Sequence, residues 1–472
     1  MTDGTKKENL NNEGVNKDMM RSMFSGVSGL RAHQQRMDVI GNNVANVNTV
    51  GFKSSRVTFQ EVFNQTLSGA SAPDSATSRG GTNPVQVGLG TSVGSVDTLM
   101  STGSSERTDN ATDLSISGDG FFIVRGSSAD TYKFTRAGNF GLDKLGNLVT
   151  GSGYCVYGWQ EKNDDGSFNT ESTVEPINLY NDTSNGNKKI IAALKTSNAK
   201  FSGNLNASAA KMDTIEGDPT QTGYTKPQFS VPFTVYDSLG NSYELSVNYR
   251  RSEASLDNNE WTYDITMNAG DKDDPTTTDI DESKNQKMLV PKNTTVVFDS
   301  LGKLKSGESS AVEITPNDDS GAAPFTVNLD FSNLTMFAGD SSVKPSDING
   351  YTTGTLTTFS IGSNGIITGI YSNGEQQSLG RVALASFSNP AGLEKVGDNL
   401  FMPTTNSGNF TKGLAAGTEG AGTLTPGTLE MSNVDLSSEF TSMIITQRGF
   451  QANSRIITTS DEMLQELVNL KR

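Results

Sequence analysis

The stretch GNNVANVNTVGF, residues 41–52, marks the point at which the sequence changes its character. Upstream of it, apolar residues recur every three or four positions, which indicates one face of a helix. Within it, glycine and asparagine tolerate the backbone angles that a turn requires, and no ionisable side chain is present to catalyse a reaction. We therefore predict that a helix ends here and that the chain turns towards β structure. The turn motif comprises Gly41, Asn42, Asn43, Asn46, Gly51 and Phe52.

Both ends of the chain carry apolar stripes with helical spacing. The N-terminal stripe is interrupted by the polar pair Gln34 and Gln35. The C-terminal stripe keeps a seven-residue spacing, and Ser432 with Asp435 resembles a capping box at its start. The residues assigned to helix assembly are Met23, Val27, Leu30, Met37, Ile40, Val44, Leu436, Phe440, Met443, Phe450, Ile457, Leu464 and Val468.

These helices are predicted to form a coiled-coil-like terminal domain. Glycine inside a helix costs about 1 kcal/mol relative to alanine, and Gly26, Gly29 and Gly41 all lie in the N-terminal pattern. Isolated amphipathic helices are also only marginally stable in water. We therefore expect the two helices to pack on each other and on neighbouring copies, and to remain mobile in the free monomer.

The middle of the chain follows the two-residue period of β-strands. Its alternating segments include ISGDGFFIV (116–124), which contains Gly120, Phe121 and Phe122. VYDSLG (235–240) and VFDSLG (297–302) echo each other and predict two similar hairpins. Further hairpins are predicted at four turn signals. They are Asp119-Gly120, Leu145-Gly146, Asn364-Gly365 and Asn373-Gly374.

The predicted fold class is therefore mixed, with long terminal helices and nested all-β domains. Runs of Asn, Asp, Thr and Ser between residues 161 and 354 indicate an inserted segment. The predicted organisation is a disordered N-terminal arm at 1–18, a terminal helical assembly domain at 19–53 and 430–472, a β-rich middle domain with a connecting segment at 54–159 and 355–429, and an inserted β outer domain at 160–354.

Composition argues against several classes of function. The net charge of −16 opposes binding to nucleic-acid phosphates. One cysteine, Cys155, and one histidine, His33, provide no disulfide framework, Cys/His zinc site or histidine triad within one chain. No segment approaches the roughly 18 apolar residues of a membrane span, and a signal-peptide pattern is missing. We therefore expect no enzyme activity, no cofactor, no membrane insertion and, for an exported protein, a route without a cleaved signal peptide.

Other candidate sites are weak. DKDDPTTTDIDE (271–282) has calcium-loop offsets, but Pro275 and Thr276 stand where a ligand and a glycine are needed, so we interpret it as a solvated acidic loop. GLGTSVG (88–94) misses the dinucleotide fingerprint by one position, and its glycines are expected to serve turns. Cys155 is expected to be a small buried residue of a strand, and His33 a solvated or interfacial one.

Four ordered motifs resemble the bacterial flagellar rod and hook family. They are MFSGVSGLRAHQQRMDVIGNNVANVNTVGFK (23–53), ISGDGFFIV (116–124), YKFTRAGNFGLDKLGNLVTGSGY (132–154) and QRGFQANSRIITTSDEMLQELVNL (447–470). The large insertion and the strand VPFTVYDSLG (231–240) are similar to hook proteins within this family, whereas its rod proteins are far shorter. The resemblance covers the flanking parts of the chain, and the middle matches more loosely.

The resemblance implies a structural subunit that polymerises into a curved tube and transmits motor torque from rod to filament while it bends. It implies a homopolymer of many copies, contacts with the hook cap, distal rod and hook-filament junction proteins, and type III export to the extracellular flagellum. In such hooks the terminal helices line the channel and the β domains form the outer layers. The alternatives are another axial protein, such as a distal rod or junction subunit, a Gly-rich surface adhesin, or an extracellular hydrolase with an unrecognised carboxylate pair.

Two details depart from the family pattern or extend it. Family members begin near the position of Met19 or Met20, so we expect either a later translation start or an added tail at 1–18. Some similar spirochaete hooks cross-link a cysteine to a lysine of a neighbouring subunit. Cys155 is therefore a candidate for such a cross-link.

Overall fold

A computed structural model describes residues 4–73, 80–126, 130–163, 165–182, 186–211, 227–252, 259–268, 286–289, 295–316, 321–418 and 420–470. Two units are distinguished by their internal contacts. Unit 1 comprises Met1–Gly186, Ser360–Thr368 and Ser378–Arg472, and unit 2 comprises Asn187–Phe359 and Gly369–Gln377. Unit 1 extends past residue 160, where the sequence suggested that the outer domain begins, because Ile177 still hydrogen-bonds to Val156 and Leu148.

Two long helices occupy the ends of the chain, as predicted. Helix α1 is Gly4–Ala45 and helix α2 is Leu436–Leu470. Asp435 caps α2, because its Oδ1 accepts hydrogen bonds from the backbone N–H groups of Ser437 and Ser438. We expected a disordered arm at 1–18, but in the structure α1 already begins at Gly4. No proline interrupts this segment, and extending an existing helix is easier than nucleating one.

Strands fill most of the chain between the helices. Those before the second unit are β1 (Ser55–Glu61), β2 (Asn64–Ser68), β3 (Val85–Gly88), β4 (Thr91–Thr98), β5 (Ser105–Arg107), β6 (Leu114–Ser117), β7 (Phe121–Arg125), β8 (Lys133–Thr135), β9 (Phe140–Leu142), β10 (Leu148–Thr150), β11 (Cys155–Trp159), β12 (Glu175–Pro176), β13 (Asn181–Asp182) and β14 (Gly186–Asn187). The next are β15 (Ile190–Ile191), β16 (Asn198–Asn206), β17 (Phe229–Tyr236), β18 (Ser242–Arg251), β19 (Glu260–Asn268), β20 (Gln286–Leu289), β21 (Thr295–Phe298), β22 (Leu304–Ser306), β23 (Ser309–Ile314), β24 (Phe325–Phe337) and β25 (Lys344–Ile348). The last are β26 (Gly354–Ile361), β27 (Ile366–Tyr371), β28 (Gln376–Ala385), β29 (Glu394–Gly397), β30 (Leu400–Met402), β31 (Leu414–Ala415), β32 (Thr423–Pro426) and β33 (Thr428–Glu430).

The main sheet of unit 1 places β28, β11, β7, β8, β30 and β29 side by side. All of FFIV in β7 is buried, so both faces of this strand are covered. Phe121 packs edge-on against Phe401 at a ring-centroid distance of 5.7 Å, and Phe122 packs against Phe140 at 4.9 Å. Gly120, Phe121 and Phe122 therefore belong to the core region of unit 1 rather than to an exposed site.

One predicted hairpin in unit 1 is wrong. Asp119-Gly120 does not join two paired strands, because β6 pairs with β32 while β7 pairs with β8, β11 and β28. Gly120 has a positive φ of 130° at the point where the chain passes from one sheet to the other. The partner of β6 lies far along the chain, so no local pattern could identify it.

Unit 2 is built from two sheets that share one core. The first has the order β23, β24, β16, β25, with β16 and β24 parallel, and the second has the order β17, β18, β19, β21, β22. Aromatic side chains from both sheets meet between them. Phe201 lies 5.2 Å from Phe233, and Tyr263 lies 5.0 Å from Phe331, measured between ring centroids.

Three turns share the pattern Asp, any residue, Leu, Gly. They follow Asp143, Asp237 and Asp299, whose Oδ1 atoms each accept two backbone N–H groups, two and four residues further on. Each turn closes a hairpin, β9–β10, β17–β18 or β21–β22. The hairpin predicted at Leu145-Gly146 and the pair predicted from the repeated hexapeptide are therefore confirmed.

The turn glycines provide the first testable prediction. Gly302→Ala should lower the free energy of unfolding of unit 2 by about 3 kcal/mol. This exceeds the roughly 1 to 2 kcal/mol that a left-handed backbone conformation alone costs a residue other than glycine. The reason is that Gly302 has a φ of 75° and a Cβ there would lie 2.5 Å from the Met336 carbonyl oxygen.

The matched control is Gly374→Ala, which has a φ of 87° with nothing within 4 Å of its Cβ. Urea unfolding can be followed by Trp261 fluorescence in a Trp159→Phe background, which leaves one tryptophan. Equal losses for the two variants would contradict the argument from the Met336 contact.

Candidate assembly site

Helices α1 and α2 pack antiparallel through a seam of small and polar residues. Ser22 and Ser460 lie opposite each other with their Oγ atoms 3.4 Å apart, and Asn43 Nδ2 donates to Glu439 Oε1 at 3.0 Å. A Cβ on Gly29 would lie 2.9 Å from Asn453 Nδ2, so the backbones approach closely there. This seam was not predicted, because the sequence analysis paired the apolar stripes with each other.

The α2 residues that bury against α1 recur every seven positions. Thr446 and Ser460 are buried, and Glu439 and Asn453 occupy the same heptad position. A heptad spacing is therefore present on α2, but polar and small residues, and not the predicted apolar ones, occupy the face turned to α1. Among the predicted α1 residues, Ile40 is buried and the other five are half-buried.

The apolar side chains of α2 are consequently left largely uncovered. Of the predicted residues, Met443, Ile457 and Leu464 are half-buried. Exposure reaches 58% at Ile444, 59% at Ile445 and 67% at Val468. The exposed apolar face of α2 comprises Leu436, Phe440, Ile444, Ile445, Phe450, Ile456, Met463 and Val468. A surface of this kind on one helix marks a protein contact rather than a solvated helix.

The sequence analysis missed four members of this face. Ile444, Ile445, Ile456 and Met463 fall outside the single heptad stripe that was counted. The signal was present, because apolar residues lie on more than one side of the helical wheel. The exposed apolar face of α2 therefore extends over two sides of the helix, which leaves room for more than one packing partner.

The turn motif after α1 is held by side chain to backbone hydrogen bonds. Asn46 Nδ2 donates to the Asn42 carbonyl at 2.9 Å, which satisfies a carbonyl at the helix end. Asn43 accepts from Ser55 N at 3.0 Å and donates to Ser55 O at 2.8 Å, so one amide fixes the start of β1. Gly41 has nothing within 4 Å of its Cβ position and remains without a packing role.

Gly51 and Phe52 fit tightly at the exit of this turn. Gly51 has a φ of 67°, and a Cβ on it would lie 2.6 Å from Ala137 N. Phe52 is buried, and Lys395 Nζ lies 5.0 Å from the centre of its ring. The requirement for glycine at residue 51 is thus both conformational and steric.

A buried ionic cluster joins the turn to the segment that leads into α2. Lys53 Nζ donates to Glu430 Oε1 at 2.6 Å, and Arg136 Nη1 donates to Glu430 Oε2 at 3.2 Å. The Gly103 N–H donates to the same carboxylate at 3.0 Å. All three charged side chains are at most 3% exposed. Burial lowers the pKa of Lys53, while its hydrogen bond to Glu430 opposes that shift.

No motif in the sequence predicted this cluster. Lys53 and Arg136 fall inside the quoted motifs, but Glu430 lies outside them. The only local signal is that Lys53, Arg136 and Glu430 are each flanked by apolar or small residues. A buried charge with no partner would be very costly, and this is why each of the three requires the others.

Cys155 is half-buried at the start of β11 and packs against the core of unit 1. Burial and, to a smaller extent, the negative charge of Asp143 raise the pKa of its thiol. A raised pKa lowers the fraction of reactive thiolate at neutral pH. The cross-link therefore stays a prediction, and the geometry favours the packing role.

The other candidate sites lie partly outside the residues that the structure describes. The acidic run 271–282 lies outside them. Elsewhere in the described ranges, no three His, Cys, Asp or Glu side chains converge as metal ligands, and no helix is long and apolar enough for a bilayer. GLGTSVG runs from the last residue of β3 into β4, which begins at Thr91, and not into a helix, so the structural context of a dinucleotide loop is missing.

Four segments of the chain match families of flagellar proteins in order. Residues 23–53 match the family described as "Flagella basal body rod protein", and residues 425–470 match "Flagellar basal body rod FlgEFG protein C-terminal". Residues 115–186 match "Flagellar hook protein FlgE/F/G D1 domain", and residues 204–351 match "Flagellar basal body protein FlaE D2 domain".

Similar proteins match this chain from end to end. The flagellar hook protein FlgE of Treponema pallidum is 40% identical over 96% of this chain and 100% of its own length. The same protein of Borreliella burgdorferi is 40% identical with the same two coverages. The flagellar basal-body rod protein FlgG of Bacillus subtilis is 31% identical, again over 96% and 100%.

The Bacillus relative corrects one step of the sequence analysis. A protein named as a rod subunit aligns over its whole length, so chain length does not separate rod from hook here. The identity is higher to the two hook proteins, at 40% against 31%. Together with the four ordered segments, these relatives show that the chain belongs to the flagellar hook protein family.

Proposed function

We propose that this chain polymerises with copies of itself into the tube of the flagellar hook and transmits torque through it. The observation that carries the proposal is the exposed apolar face of α2. Burying one such side chain fully is worth about 1.5 to 3 kcal/mol. Within one chain these side chains stay 37% to 67% exposed, so roughly half of that free energy remains to be gained by contact with other subunits.

The paired helices and the β domains suit different parts in such a tube. The paired helices form a continuous element for axial packing, in a coiled-coil-like terminal domain. Nested β domains rich in Gly, Ser and Asn surround them in the proposed assembly and touch neighbours through polar, hydrated contacts. Strong contacts near the axis and weaker ones outside it would resist twist while the tube bends.

The further partners follow from the same assembly. A hook subunit would meet the distal rod below, junction proteins above and the hook cap during growth, after type III export to the cell exterior. A junction or rod subunit is the second candidate, favoured by the rod-named Bacillus relative. Gold-labelled antibody on purified hook-basal bodies would separate them, because a hook subunit labels the whole curved segment.

Truncation tests the polymerisation itself. A chain ending at Asp435 should lose assembly entirely, because it lacks the whole of α2. Sedimentation and negative-stain electron microscopy at neutral pH would compare it with the full chain. Tubes from the truncated chain at the normal protein concentration would contradict the proposal, whereas an adhesin or hydrolase could keep its activity.

A further inference from the structure

His33 occupies the junction of α1, α2 and β1, all within unit 1. It is the single histidine of the chain. A Cβ on Gly449 would lie 2.7 Å from the His33 Cε1 and 2.8 Å from its Nε2, so the imidazole lies directly on the α2 backbone. From β1, the Phe59 ring meets the imidazole edge-on at a centroid distance of 5.4 Å. The His33 imidazole on α1 therefore contacts both α2 and β1.

The environment of this ring favours the neutral form. Its Nδ1 is buried and has no hydrogen-bond partner among the described residues. Neutral imidazole can leave that nitrogen without a proton, whereas the protonated ring carries N–H groups on both nitrogens. Protonation would therefore place an unpaired donor on the buried Nδ1 and a positive charge on a half-buried ring.

The charged groups around His33 offer no compensation. On α1, Arg36 lies over the same Phe59 ring, 5.6 Å from its centre, and repels a second positive charge. On α2, Gly449 is flanked by Arg448, and the acidic Glu439 is bonded to Asn43 instead. On β1, Arg56 pairs with Asp97, and Glu61, two residues beyond Phe59, directs its carboxylate to Gly88, where a Cβ would lie 2.8 Å from its Oε1.

We propose that His33 is an acid-sensitive lock on the helix pair, which holds α1 against α2 and β1 while neutral and releases them on protonation. The inference rests on the proposed function, because the lock would act on the assembled tube through its paired helices. It adds a response to acid that a purely apolar seam would lack. Gly449 is central to this contact, because the imidazole packs directly on its backbone and no side chain lies between them.

The pH window follows from the same surroundings. Burial, and secondarily the charge of Arg36, lower the pKa of His33 below its ordinary value of 6.5. The stabilisation is then fully present above about pH 6.5 and is lost as the pH falls through the lowered pKa. Asp143 and Asp237 also have lowered pKa values, so their protonation belongs to a more acidic range.

The test compares the wild-type polymer with His33→Gln, which stays neutral at every pH. Tubes assembled at pH 7.5 would be shifted stepwise to pH 5 and the released subunits measured by sedimentation. We expect wild type to release subunits at least threefold faster than His33→Gln near pH 5. Equal release from both polymers would overturn the lock.

A second readout needs no variant. Deuterium exchange at the imidazole Cε1–H, followed by mass spectrometry, reports the pKa of this one histidine in the wild-type tube. A midpoint below 6.5 supports the lock, and a midpoint at or above 6.5 overturns it, even where His33→Gln fails to fold. Failure of the wild-type chain to form tubes at pH 7.5 would contradict the proposed function, and the lock with it.

Discussion

Glu430→Gln should destabilise unit 1 by about 3 to 5 kcal/mol, the usual cost of removing one partner from a buried ion pair. Glutamine keeps the size of the side chain but removes the charge that Lys53 and Arg136 share. Two buried cations would then face each other without an anion. Urea unfolding followed by Trp159 fluorescence, in a Trp261→Phe background, reports on unit 1, because Trp159 is 1% exposed in its core.

The chain offers a matched control for this experiment. Arg56 and Asp97 form an ion pair of 3.4 Å at the surface, with side chains 61% and 40% exposed. Asp97→Asn should cost less than about 1 kcal/mol, because exposed pairs contribute little. Adding Lys53→Met to Glu430→Gln should recover part of the loss, since one unpaired cation disappears. Similar losses for Glu430→Gln and Asp97→Asn would show that the cluster does not stabilise the fold.

The double variant Phe440→Ser with Ile444→Ser should abolish polymerisation at ordinary protein concentrations. Both side chains lie on the exposed apolar face of α2, at 50% and 58% exposure. Because each side chain is already about half buried, the two contacts together are worth about 1.5 to 3 kcal/mol, which corresponds to a rise of roughly tenfold to a hundredfold in the critical concentration. Sedimentation across a concentration series measures that value directly.

The control for the helix itself is Gln447→Ser with Gln451→Ser. Both glutamines are exposed on the same helix, and serine lowers helix propensity at these positions too. This variant should polymerise at close to the wild-type concentration. If the two double variants raised the critical concentration equally, helix stability and not the apolar face would control assembly.

Sequence reasoning identified the features that local patterns encode. The terminal helices follow from a period of three to four residues, and the Asp-x-Leu-Gly hairpins follow from a carboxylate that caps its own turn. The turn at Gly51 could be predicted because a positive φ excludes most other residues. Each of these signals lies within a few neighbouring residues.

The features that were missed depend on residues far apart in the chain. The pairing of β6 with β32 and the contact of Lys53 with Glu430 join segments whose local sequences carry no mark of each other. The α1–α2 seam was misjudged for a different reason. Apolar spacing indicates where a helix can pack, but glycines that permit close approach decided which face met α1.

The position of Glu430 also affects the order in which parts of this polypeptide can fold. Its carboxylate neutralises Lys53 and Arg136, and the neighbouring β33 pairs with β5. A polypeptide delivered outside the cell amino end first would hold two uncompensated cations until residue 430 emerged. Premature closure inside a narrow conduit would thereby be disfavoured, and a subunit secreted in this way would become complete only when its final segment had nearly emerged.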